Sequence, residues 1–171
     1  MVRITQEFKI IVEKHPLYES INQKIVEDFK GFSFTRDISN ADGGLTNVRA
    51  LQTGNSIKSP SISLIKEWVV NLVRINSGGT FVIDACWGAK YSKGDYTISH
   101  AHCPATFAFV YFLKSPRGSS PLVFTHSGKK IKAEDGKVVI FPGNIRHHVP
   151  KNNCEGRLVL AGNLVQSTNY K

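Results

Sequence analysis

Apolar positions along the chain follow a helical period in its first half and a strand-like one after about residue 80. Leu17, Ile21, Ile25 and Phe29 recur at every fourth position. That spacing lays an apolar stripe along one face of a helix. Pro16 opens this helix, where a missing N–H does no harm, and Gly31 lies just past its end. A second helix opens at Ser59 and Pro60. It puts Ile62, Ile65, Trp68, Val69, Leu72 and Val73 on one face and Lys66, Glu67, Asn71 and Arg74 on the other, and Gly78 and Gly79 stop it. Trp68 reads as core filler on a packing helix. Before the helices, the alternation Phe8, Ile10, Val12 predicts a first strand within residues 1–13. Between them, residues 36–59 are rich in Asn, Asp, Gly, Ser and Thr and read as loop, with a short strand over Val48–Leu51.

From Thr80 onward short β-type runs alternate with Gly, Pro, Asn and Asp turns. Strands are predicted at Thr80–Ile83, Ala85–Trp87, Tyr96–Ile98, Thr106–Leu113, Pro121–Phe124, Lys129–Lys132, Val138–Phe141, His148–Val149 and Arg157–Ala161. Many short strands with such punctuation argue for a sandwich or barrel. Two helices followed by this run predict a mainly β, α+β chain, an antiparallel β-sandwich backed by helices. Neither a repeat nor a linker divides residues 1–171, so one domain is expected, with helical support over 14–75 and a β core over 80–165.

The 171 residues suffice to bury a core. No apolar run approaches the roughly 20 residues that cross a bilayer, and the first residues are too polar for a secretory signal. Cys86, Cys103 and Cys154 are odd in number and lack a framework spacing. Reduced thiols in a cytoplasm are therefore expected. The net charge of +9 favours anionic partners. The basic residues are scattered, however, with Lys129, Lys130 and Lys132 the densest group, so an anionic substrate is favoured over nucleic acid. Oligomeric state leaves no signature in the sequence.

Four of the six histidines fall in two clusters, His100 with His102 and His147 with His148. Side chains two apart on a strand share a face, so His100 and His102 can grip one ion from one side. A third imidazole from a strand about 45 residues later completes a three-point facial site with open positions opposite. Non-haem iron oxygenases use that geometry, and imidazole also suits copper, nickel and zinc. His147 and His148 point to opposite faces of any strand, so only one of them can join the cluster. Cys103, beside His102, is a further candidate ligand.

The order of motifs resembles the 2-oxoglutarate- and Fe(II)-dependent oxygenases of the double-stranded β-helix (jelly-roll) type, and is most similar to a small bacterial and marine-phage branch related to the prolyl hydroxylases. The similarity covers about residues 47–165. It rests on Tyr91, Gly94, Tyr96, His100 and His102; on Phe109–Leu113 with Pro116; on Val139–Pro142 followed by His147, Val149 and Pro150; and on Arg157–Asn163. The resemblance implies Fe(II) held by His100, His102 and His147, with the Phe-Pro…His-x-Val register selecting His147. It also implies 2-oxoglutarate as co-substrate, its distal carboxylate bound by Arg157, whose planar guanidinium matches a carboxylate fork. Tyr91 would donate its hydroxyl to the co-substrate, while Tyr111 and Asn163 would line the same pocket. Trp87 and Asp95 read as structural. The implied reaction hydroxylates a substrate and releases succinate and CO2, in the cytoplasm, or the host cytoplasm if phage-encoded. Most of the superfamily carries a carboxylate where this chain has His102. Three neutral imidazoles leave the metal's full double charge, which favours an anionic chelate.

Two other readings use the same residues. Gly94 with His100 and His102, and Gly136 with Pro142 and His147, also resemble the two boxes of cupins. A cupin would carry a Glu where Thr106 or Phe107 stands, and gives no reason for Arg157. A jelly-roll without metal chemistry could instead serve as a binding module. The loops 36–59 and 114–120 are expected to rim the pocket, since loops on a rigid scaffold carry specificity. Lys58, Lys114 and Arg117 there point to an anionic or peptide-like substrate.

Overall fold

The computed structural model of the chain describes residues 7–36 and 46–167. The predicted strand and loop positions at 1–6 and 37–45 lie outside them. Helix α1 spans Tyr18–Asp28, continues into a 3-10 turn at Phe29–Gly31, and buries Ile21, Ile25 and Phe29. Helix α2 spans Pro60–Ser77. Its cap is the one the sequence announces: the Ser59 hydroxyl accepts the Ile62 N–H at 3.1 Å, and Gly78 closes the helix in the left-handed region at φ 72°.

The strands are β1 (Ile11–Lys14), β2 (Val48–Arg49), β3 (Leu51–Gln52), β4 (Phe81–Tyr91), β5 (Tyr96–His100), β6 (Phe107–Lys114), β7 (Leu122–Phe124), β8 (Lys130–Ile131), β9 (Lys137–Pro142), β10 (His147–Val149) and β11 (Arg157–Gln166). They form two facing sheets, ordered β1-β9-β6-β11-β4-β3 and β2-β5-β10-β7-β8, and every pairing between them is antiparallel. This is the double-stranded β-helix expected from the sequence. One difference is informative: the predicted strands at Thr80–Ile83 and Ala85–Trp87 are one strand of eleven residues, β4. The strands expected before residue 80 are present as β1 and as β2 with β3, and they join the two sheets, so the β core extends beyond 80–165.

The core is divided by the larger sheet. On its outer face Ile25, Ile62, Ile65, Val69 and Val73 of the helices meet Phe109, Tyr111, Leu113, Val138, Ile140 and Leu160. Between the sheets lie Ala89, Tyr91, Phe112, Phe124, Val139, Phe141, Val149 and Val159. At Gly162 of β11 the space beside β4 leaves no room for a side chain. A Cβ there would stand 2.5 Å from the Ala85 carbonyl oxygen and 2.6 Å from the Phe109 ring. Gly162→Ala is therefore expected to cost about 1–3 kcal/mol by overpacking. Gly54→Ala, with nothing within 4 Å of the added carbon, should stay within about 0.5 kcal/mol of wild type; urea titrations of the two variants measure both.

Candidate metal and co-substrate site

Two strand pairings aim side chains into the space between the sheets. In the smaller sheet His147 of β10 lies directly opposite His100 of β5. Facing residues of an antiparallel pair hold their Cβ atoms about 5 Å apart. Two positions along, Val149 faces Thr97, so Ile98 and Ser99 together oppose the single residue His148. That extra residue is a β-bulge, which re-aims a side chain, and here it brings His100 into phase with His147. His148 points away and meets the Thr125 hydroxyl at 3.1 Å on the outer face.

His102 is not on the strand. β5 ends at His100, and His102 sits in the turn that follows, its N–H donating to the Gly143 carbonyl at 2.7 Å. The expectation that period-two alternation aligns His100 with His102 is thus corrected. The bulge and this tether put the rings together, with centroids 4.8 Å apart. Gly143 N–H returns a bond to Thr106 O at 2.9 Å, clasping the two turns.

The nitrogens of His100, His102 and His147 that could serve as ligands lie within 4.8 Å of one another, and Nε2 of His102 is 3.3 Å from Nε2 of His147. The tautomers follow from their partners. His100 Nδ1 faces the Ile98 carbonyl at 2.7 Å and His147 Nδ1 the Ile145 carbonyl at 3.1 Å. A carbonyl only accepts, so both Nδ1 atoms carry the proton and both Nε2 atoms present lone pairs. Burial drives the His102 and His147 pKa values down to about 3, assisted by the neighbouring imidazoles, and lowers that of His100 as well. The cluster is neutral at pH 7. Neutral imidazoles with free lone pairs a few ångströms apart form the donor set that a divalent metal takes. Cys103 is exposed and outside this group.

Across the cavity, β11 pairs with β4 so that Arg157 faces Tyr91, Val159 faces Ala89, Ala161 faces Trp87 and Asn163 faces Ala85. Arg157 is fully buried. Its guanidinium carbon lies 4.3 Å from the centre of the Tyr91 ring, while its Nε and Nη1 have no hydrogen-bond partner. Among the described residues no carboxylate pairs with it, and burial pulls its pKa down. The Tyr91 hydroxyl meets the Thr97 hydroxyl at 2.7 Å. One cavity is lined by Tyr91, Thr97, His100, His102, His147 and Arg157 together.

Tyr111 does not join them. It lies on the helix side of the sheet, where its hydroxyl donates to Asn22 Oδ1 at 2.7 Å and its ring meets Trp68 edge-on. Burial raises its pKa. Asn163 lies on the cavity side, but in an adjoining chamber that shares Trp87, His100 and His102 with the first. Trp87, read from sequence as structural, stands beside His102 with ring centroids 6.0 Å apart. Its position four before Tyr91 on one strand was the available signal. Asp95 is a structural residue as read: it accepts from Ser92 N–H and pairs with Arg36 at 2.8 Å. Arg117 lines a different hollow, bounded by Glu134 and Asp135, and Lys114, the exposed last residue of β6, is not in the lining of this cavity.

No family model matches the sequence, and no curated protein matches it in sequence. Solved structures do match in fold. The viral collagen prolyl hydroxylase of Paramecium bursaria Chlorella virus-1, in complex with 2-oxoglutarate, is 14% identical with a TM-score of 0.71, over 91% of this chain and 94% of that one. A prolyl-4-hydroxylase of Pseudomonas putida is 16% identical with a TM-score of 0.70, over 94% of both chains. HygX of Streptomyces hygroscopicus, with nickel, 2-oxoglutarate and hygromycin B bound, is 11% identical with a TM-score of 0.68, over 95% and 84%. The fold is therefore the double-stranded β-helix of 2-oxoglutarate- and Fe(II)-dependent oxygenases. No helix among the described residues is long and apolar enough to cross a membrane.

In metal-free protein His102 and His147 bind no proton between pH 6.5 and about 3, whereas the unfolded chain does. Stability should therefore fall as pH drops below about 6.5. Urea midpoints at pH 7 and pH 5 measure this, and the fall should shrink in the H102Q/H147Q double variant. Arg157→Met removes an unpaired buried charge. Without 2-oxoglutarate, it should be neutral or stabilising by about 1–4 kcal/mol; a large loss in the same titration would reveal a native partner.

Proposed function

We propose that the protein is an Fe(II)- and 2-oxoglutarate-dependent oxygenase that hydroxylates a peptide or small-molecule substrate. The observation that carries this reading is one cavity holding three neutral, convergent imidazoles and a buried guanidinium without an anionic partner. His100, His102 and His147 would hold the iron through nitrogen atoms. Arg157 would take the distal carboxylate of 2-oxoglutarate, because a buried cation with two unbonded N–H groups is stabilised by an anion that accepts both. The ring of Tyr91 supports that guanidinium from one side, and Thr97 fixes the tyrosine hydroxyl at the cavity wall. Val149 and Val159 line the same cavity and make part of its wall apolar. When bound, the iron and its co-substrate would supply the oxygen-activating chemistry, giving succinate, CO2 and a hydroxylated product.

The comparisons support the reading through what those proteins bind. The viral prolyl hydroxylase is a 2-oxoglutarate complex, and HygX holds nickel, 2-oxoglutarate and hygromycin B. A prolyl hydroxylase from Trichoplax adhaerens, 15% identical with a TM-score of 0.68, is complexed with a hypoxia-inducible-factor peptide. The free cysteines fit a reducing compartment such as the cytoplasm.

Anaerobic addition of Fe(II) and then 2-oxoglutarate tests the proposal. A weak visible charge-transfer band should appear, and air should release succinate. In Arg157→Met, 2-oxoglutarate affinity should fall by 100-fold or more, from the loss of two charged hydrogen bonds at about 1.5–3 kcal/mol each. No band and no succinate from wild-type protein would overturn the assignment.

A further inference from the structure

Residues on the cavity face of β11 are arranged by chain position. Arg157 stands at one end and Asn163 six residues on, about 20 Å along an extended strand. Ala161, opposite Trp87, lies between them. His100, His102 and Trp87 line both chambers, whereas His147 lines only the one that holds Arg157. If the chamber on the Arg157 side takes 2-oxoglutarate, as the proposed function requires, the chamber on the Asn163 side is left for the substrate.

The chemistry of that second chamber is distinct. Its lining, among the described residues, carries no charged side chain, and its only ionisable groups are His100 and His102. The rest is amide, hydroxyl and indole, chiefly Asn47, Gln52, Asn55, Asn163, Thr46 and Trp87. Internal bonds already occupy part of this set. The Thr46 hydroxyl donates to Gln52 Oε1 at 3.1 Å, and Gln52 Nε2 donates to Asn55 Oδ1 at 3.4 Å. Asn163 Oδ1 is different: it is buried and has no hydrogen-bond partner. A buried amide oxygen without a donor costs free energy that an incoming N–H or O–H recovers.

We infer that Asn163 is a substrate-orienting acceptor, and that the part of the substrate nearest the metal is uncharged, donates an N–H or O–H to Asn163 Oδ1, and lays an apolar face on Trp87. Sugars and peptide amides share this chemistry. Beyond the metal, whose charge the bound 2-oxoglutarate offsets, the described lining offers an anionic substrate no cationic side chain. The inference therefore departs from the expectation of an anionic substrate drawn from Lys58, Lys114 and Arg117, none of which lines this chamber.

Binding can be read without turnover in protein loaded with Zn(II), which has no redox chemistry, and 2-oxoglutarate. The chain has two tryptophans. The indole N–H resonance of Trp87 reports the chamber, while Trp68, packed against His15 and Tyr111 on the helix side, serves as fold reference. The probes are methyl glucoside and N-acetylprolinamide, each beside charged counterparts: glucuronate, glucosamine and N-acetylproline. At least one uncharged probe should shift Trp87 alone and bind more tightly than its charged relatives, and which one does so separates sugar from amide. Asn163→Leu should weaken that probe about three- to tenfold. Asn163→Asp should instead gain affinity for glucosamine and lose it for glucuronate, an exchange that a merely structural asparagine would not produce. Charged probes binding as well as uncharged ones, Asn163→Leu binding unchanged, or no probe shifting Trp87 would each overturn the inference. The wild-type thermal shift with 2-oxoglutarate, recorded on the same preparation, reports the oxygenase assignment separately.

Discussion

The ladder between β4 and β11 sets the position of every group on one wall of the cavity. Antiparallel pairing fixes which residues face one another, and period-two alternation fixes which of them look inward. Once Arg157 is opposite Tyr91, the inward positions Val159, Ala161 and Asn163 and their partners Ala89, Trp87 and Ala85 follow without further choice. A slip of one residue would turn all of them to the helix side. The close approach at Gly162 and the burial of Leu160 and Leu164 among helix-facing side chains oppose that slip.

The electrostatics of the cavity are unbalanced in one direction. Three imidazoles are held neutral by burial, and a guanidinium is enclosed with aromatic rings on its flank and no acid. A divalent ion would add two more positive charges. Isolating such charge from water costs several kcal/mol per ion, so the cavity is suited to a dianion that touches both ends. A histidine in place of a carboxylate at position 102 sharpens this demand, because the protein itself then contributes no negative charge.

Legibility in the sequence was uneven, for physical reasons. The helices were readable because their periodicity and caps are local, as Ser59 and Gly78 show. The histidine clusters and Arg157 were readable because such residues stand out in strands of apolar neighbours. Tyr111 was misread because Phe107–Leu113 is apolar on both faces, so no alternation shows which residues look inward. Only the pairing with β11 and the cover of the helices decide that Phe112 lies between the sheets and Tyr111 on the helix side. The union of two predicted strands into β4 was likewise hidden, since Asp84 sits at a register shift opposite Asn163 and Leu164 and looks like a break. An indole is more often packing than function, so the sequence alone does not mark Trp87 as a neighbour of His102.

The paired residues Ile98 and Ser99 carry one more implication. Their side chains face away from the clustered histidines, so their identities are free to drift under mutation. Their number is not: with one residue fewer, the segment would regain regular pleating and His100 would rotate out of the cavity while the sheet stayed intact. Along this stretch selection should tolerate exchanges of letter and reject a change of length, a form of constraint that scoring residue by residue would overlook.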